Sequence, residues 1–156
     1  MTTPLPNVAQ LLGALLARVP VRERPLLIAI AERLAAERYR RWATAVADAD
    51  QRAALARCAD REEEIARRVE SLHPDAGAEQ ERIRAANPDL AEINRSVFAD
   101  RPLAEQFAIQ AQGERAGAAL WRALAQDAPS ERERDEYLAC ARLEEESAAY
   151  LEALGT

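Results

Sequence analysis

Aromatic residues make up only 4% of this chain, glycines number five, cysteines two and histidines one, and lysine is missing altogether. With so few aromatics and glycines, and with alanine, arginine, glutamate and leucine dominant, sheets are disfavoured and the expected class is all-α. The two cysteines, Cys58 and Cys140, form no CxxC pair and fall on apolar helix faces. A buried free thiol there behaves as a small hydrophobe, which fits a reducing, cytoplasmic setting. Positive charge is not in excess: the net charge of -6 and pI near 5.0 argue against nucleic acid as the main partner. The absence of lysine carries no functional reading. The one early apolar run, in MTTPLPNVAQLLGALLARVP, lacks a basic leading segment and is too short to span a bilayer, so no membrane partner is expected.

At 156 residues the chain has the length of one domain with a proper core. Residues 1–20 carry a short helix, Val8 to Val19, read as packing on the main body, with a dimer contact as the alternative. Pro20 ends it. Residues 22–72 form a helix pair: the first from Arg22 to Ala47, the second from Gln51 to Leu72 with Asp50 as its cap, folded back antiparallel by the short DAD link. Residues 73–101 break the pattern, with helical pieces at 78–86 and 89–98, and are too long for an ordinary helix connection. Residues 102–154 form a second pair, Pro102 to Gln126 capped by Asp100, and a last helix opened by Ser130 and Glu133 as a capping box. The arginines of the first long helix, Arg22, Arg24, Arg33, Arg38, Arg40 and Arg41, read as a solvated face pairing with glutamates.

Each long helix places one glutamate in the middle of its apolar stripe: Glu32, Glu62, Glu114 and Glu144. The acids belong to a repeat. CADREEEIARRVESL, Cys58 to Leu72, returns 82 residues later as CARLEEESAAYLEAL, with eight of fifteen positions identical. The same offset pairs Glu32 with Glu114, Tyr39 with Trp121, Glu62 with Glu144 and Ile65 with Ser147. Burying several ionised carboxylates together costs several kcal/mol per ion unless a cation, a proton or hydrogen bonds compensate. An all-oxygen metal site would favour harder ions such as Mn2+ or Mg2+ over iron. Without metal, protonated acids could hydrogen-bond to one another, to Tyr39 or to Trp121.

The ordered set of E-x6-aromatic followed thirty residues later by a second glutamate, twice, resembles the ferritin-like superfamily and, within it, the rubrerythrin-like branch, over roughly Arg22 to Leu154. The resemblance implies a four-helix bundle of two antiparallel helix pairs joined by a long crossover, holding a di-iron or di-manganese carboxylate centre. It implies metal ligands at Glu32, Glu62, Glu114 and Glu144, with Tyr39 and Trp121 beside them, and oxidoreductase or iron-handling chemistry. Rubrerythrin-like bundles are commonly dimers, and the Val8 to Val19 helix offers a surface for that. The family's E-x-x-H histidines do not match: Ile65 and Ser147 stand in their places, and the only histidine, His73, lies at the end of its helix. The alternative reading is therefore a metal-free bundle acting in structure or protein interaction, with Ile65, Ser147 and Gly117 filling or opening a pocket at the old centre.

Overall fold

The computed structural model of the chain describes residues 3–155, and among these it is all-helical, with seven α-helices and no strand. They are α1 (Val8–Leu16), α2 (Arg24–Ala45), α3 (Ala49–Glu70), α4 (Ala76–Ala86), α5 (Leu90–Phe98), α6 (Leu103–Gln126) and α7 (Glu131–Leu154), with a 3-10 turn at Val21–Glu23 before α2. Contacts divide the chain into two compact units, Arg22–Pro88 in one, and the residues up to Val21 together with Asp89 onward in the other.

In the Arg22–Pro88 unit, α2 and α3 pair antiparallel. Arg33 meets Glu70 and Arg40 meets Glu63, so seven steps up one helix match seven steps down the other. Pro25 lies in the first turn of α2, where an N–H would have no partner in the helix. The cap of α3 is Asp48, whose carboxylate accepts from the Gln51 N–H; the expected cap, Asp50, sits inside the first turn, where its charge suits the helix dipole. The arginine face holds for Arg33 and Arg40 but not for Arg38. That side chain is buried, with its guanidinium 5.8 Å from the centre of the Trp42 ring. The short helix α4 packs on α2, and Gln80 anchors it by donating to the Leu26 carbonyl at 3.5 Å and to Glu70 at 3.1 Å.

In the other unit, α6 and α7 pair in the same manner, through Arg115 with Glu152 and Arg122 with Glu145. Ser130 caps α7 by accepting from the Glu133 N–H at 3.2 Å, as its sequence predicts. Asp100 is not the cap of α6. It has a positive φ of 57° and Pro102 takes the cap position, so Asp100 makes the bend before the helix rather than its first hydrogen bond. The first helix also belongs here: α1 lies on α6, with a Val8 methyl near Gly113, and Arg18 pairs with Asp89. It ends at Leu16, earlier than the expected Val19, and a turn carries the chain on.

The 82-residue repeat runs further than the sequence identities reveal. Both partners of each α2–α3 ion pair, shifted by 82, give the two α6–α7 pairs. The caps Asp48 and Ser130 obey the same shift, and so do the first residues of α3 and α7. Even α1 and α5 correspond end to end, Val8–Leu16 against Leu90–Phe98. Each half is thus one short helix followed by a long pair, and α4 alone has no counterpart.

Candidate metal centre

Four glutamates on four different helices are nearly or fully withdrawn from solvent: Glu32 is 7% exposed, Glu62 0%, Glu114 1% and Glu144 2%. Helical spacing explains this for each. Glu32 follows Ile28 and Ala29 and precedes Ala35, Ala36 and Tyr39 on one buried stripe of α2, so the acid cannot turn outward without exposing its neighbours. Glu62 sits among Cys58, Ala59, Ile65 and Ala66 on α3, all buried. Glu114 and Glu144 repeat these settings on α6 and α7, the latter between Cys140, Ala141, Ser147 and Ala148. The small residues beside them are what leave room for carboxylates.

Among the described residues, Glu32, Glu62 and Glu144 each offer a carboxylate oxygen within 4.8 Å of the others, a buried triple-glutamate group that could bind a metal ion. Glu114 stands outside this group of three. Its partner is Gln110, one turn earlier on α6, whose amide donates to Glu114 Oε1 at 2.7 Å. Glu144 is held by Trp121, whose indole N–H donates to its Oε1 at 3.1 Å. That carboxylate also lies close over the α6 backbone: a Cβ on Gly117 would come within 2.4 Å of Glu144 Oε1 and 2.8 Å of the carboxyl carbon. Glycine at 117 is therefore a condition of Glu144's position.

Of the flanking residues, Tyr39, Trp121, Ile65 and Ser147 are all 0% exposed. Trp121 stacks on Tyr137 with ring centres 5.6 Å apart, and Tyr39 meets Trp42 edge to face at 5.3 Å. Burial, with the charge of Glu133 and the neighbouring Cys140, raises the Tyr137 hydroxyl to about 12, so it remains protonated throughout the neutral range. Cys58 and Cys140 are free and buried. Outside the centre, ion pairs dominate. Glu70 is raised by burial but held below its usual value by hydrogen bonds from Arg33 and Gln80 and by the Arg33 charge.

The structure buries all four acids that the sequence singles out, and with them Tyr39, Trp121, Ile65 and Ser147. The sequence reading missed Gln110 and placed the buried Arg38 on the surface. The spacing of Gln110 four residues before Glu114 is the signal that could have exposed the first, since residues one turn apart on a helix touch. No family model, no curated protein and no solved structure matches this chain. Among the described residues no helix is long and apolar enough to cross a membrane.

Proposed function

We propose that the chain is a ferritin-like protein of the rubrerythrin type, its two long helix pairs closing into a four-helix bundle around a carboxylate centre that binds a divalent metal ion. The observation that carries this is the buried group of Glu32, Glu62 and Glu144, with oxygens within 4.8 Å of one another. Withdrawing three like-charged acids from water into one place costs several kcal/mol per ion, and a cation is the compensation that uses all three at once. The fit is to hard ions, because every donor in the group is a carboxylate oxygen: manganese or magnesium suits it better than iron. Ile65 and Ser147 stand where nitrogen donors would sit and supply none.

When bound, a redox-active ion such as manganese or iron would supply electron exchange with oxygen or peroxide, or would itself be the cargo of iron handling. The protein's part is to hold and orient it. Glu32, Glu62 and Glu144 hold the ion, Trp121 fixes the plane of the Glu144 carboxylate, and the surrounding alanines, cysteines and aromatics keep water out. The test is elemental analysis with Mn(II) and Fe(II) titration of wild type beside Glu62→Ala. Wild type should hold about one ion per chain and the variant should lose it; less than about a tenth of an ion under both metals sinks the reading.

One observation favours a second reading, a metal-free bundle in a structural or interaction role. Ile65, fully buried three residues after Glu62, puts an aliphatic side chain at the spacing where a nitrogen ligand would stand, while neutral N–H donors from Gln110 and Trp121 each reach one oxygen of the second-half acids. In that case neither metal binds, and Glu62→Gln stabilises the protein in the presence and absence of metal alike.

A further inference from the structure

Two short helices answer to each other across the repeat, and their outer faces differ. At the 82-residue offset α1 and α5 correspond residue for residue, so Gln10, Leu11 and Gly13 stand where α5 has Glu92, Ile93 and Arg95. On α5 the outer face is solvated in the ordinary way: Glu92 and Arg95, with side chains 63% and 68% exposed, form an ion pair about one turn apart. On α1 both charges are gone. Residues 3–17 hold no charged side chain, in a chain that is 31% charged, yet Gln10, Leu11, Gly13 and Ala14 are exposed. Leu5 and Leu11, 42% and 37% exposed, are two of the four large apolar side chains left in water among the described residues.

Gly13 adds an independent sign. A glycine inside a nine-residue helix weakens it, and nothing within the chain calls for one here: its φ is not positive, and a Cβ at this position would meet no atom within 4 Å. A bare backbone facing open space serves an approach from outside the molecule.

We propose that the outer face of α1 docks the same face of a second copy of the chain, about a two-fold axis that passes near Gly13. A two-fold contact brings the side chains nearest its axis up against their own kind, so a charge there meets its like. The loss of both charges from α1 follows that rule. Glutamine does not repel itself, since its amide both donates and accepts, and Leu5 and Leu11 gain apolar cover. A partner of different sequence would be selected by charges complementary to its own, and this face has none to offer. None of the four buried acids takes part, so the contact is independent of the metal reading.

The experiment is sedimentation equilibrium of the full chain at physiological ionic strength, from about 1 to 100 μM, with helix content followed by circular dichroism. The samples are wild type, Leu11→Glu, Gly13→Arg, Gly13→Ala and, as a control on the outer face of α5, Ser96→Arg. Wild type should be a dimer that dissociates within that range. Leu11→Glu and Gly13→Arg put charge beside the axis and should each raise the dissociation constant by about tenfold or more, with helix content unchanged because both positions are exposed in the single chain. Gly13→Ala, the better helix former, should still weaken the dimer by about threefold or more, since its methyl group fills the space of close approach. Ser96→Arg should leave the dimer as it is. A wild type that stays monomeric throughout overturns the proposal and leaves the face to a different protein. A dimer that Leu11→Glu and Gly13→Arg both leave within about twofold of wild type overturns the assignment of this face, and a tighter dimer in Gly13→Ala overturns the axis at Gly13.

Discussion

Arg33 and Glu70 meet as a two-pronged ion pair, 2.9 Å from Nε to Oε1 and 2.6 Å from Nη2 to Oε2, and 82 residues on Arg115 and Glu152 meet in the same way at 2.8 and 2.9 Å. Matching forks at matching heights on two helix pairs mean that the repeat preserves side-chain geometry as well as apolar pattern.

The Arg33–Glu70 fork should leave a mark on the pH dependence of stability. Glu70 titrates below its ordinary 4.5 in the folded chain, so its contribution is complete above that value and is lost as the pH falls through the lower, folded one. Glu70→Gln should therefore lower Tm near neutral pH and flatten its fall on acidification. Because the Arg33 side chain is 40% exposed, solvent screening limits the effect. A loss of about 0.5–1 kcal/mol, or roughly 2–4 °C, is expected in melts at pH 7, shrinking towards nothing at pH 3.

Glu62→Gln should separate the cost of the buried acid from its use. Glu62 is wholly buried on α3, and removing its charge removes a desolvation penalty. Without metal the variant should melt at or above the wild-type temperature. With Mn(II) added, wild type should gain several degrees and the variant should gain nothing, as read by differential scanning calorimetry.

Ile65→His would place a nitrogen donor three residues after Glu62, at the spacing the chain lacks. The expected outcome is a shift in preference from Mn(II) towards Fe(II) and Co(II), ions that imidazole suits, measured by competition titration. The metal-free variant should be less stable than wild type by about 2 kcal/mol or more, since a polar ring replaces a fully buried aliphatic side chain.

Asp48→Ala and Ser130→Ala test the repeat at its caps. Each side chain accepts the N–H three residues on, Gln51 for one and Glu133 for the other, at 2.7 and 3.2 Å. Each substitution should cost about 1 kcal/mol in chemical denaturation, and the two effects should add, because the caps serve different helices.

Much of the fold is legible in the residues. The long helices follow from alanine-rich apolar stripes, and the acids stand out because carboxylates rarely occupy such stripes. The cap of α3 is less legible, since Asp48 and Asp50 offer the same chemistry two residues apart and only the backbone decides between them. The kinship of α1 with α5 is hidden for another reason. PNVAQL and PDLAEI keep the character of each position, proline, cap, apolar, alanine, polar, apolar, while keeping few identities. Arg38 reads as a surface charge because a sequence stripe does not show Trp42 offering its ring one turn away. The role of Gln110 needs a distance: an amide near an acid is ordinary on a helix until both are buried.

The seat of α1 on α6 ties Val8–Leu16 to a helix that begins at Leu103. Arg22–Pro88 is a continuous stretch, so the contacts within it can form once Pro88 is made. For α1 the case differs: Leu12, Leu15 and Leu16 are made well before their seat, since the helix that α1 lies on begins only at Leu103. Synthesis therefore leaves this latch open until α6 follows, and its closing is an event of high sequence separation, slow compared with the helix hairpins.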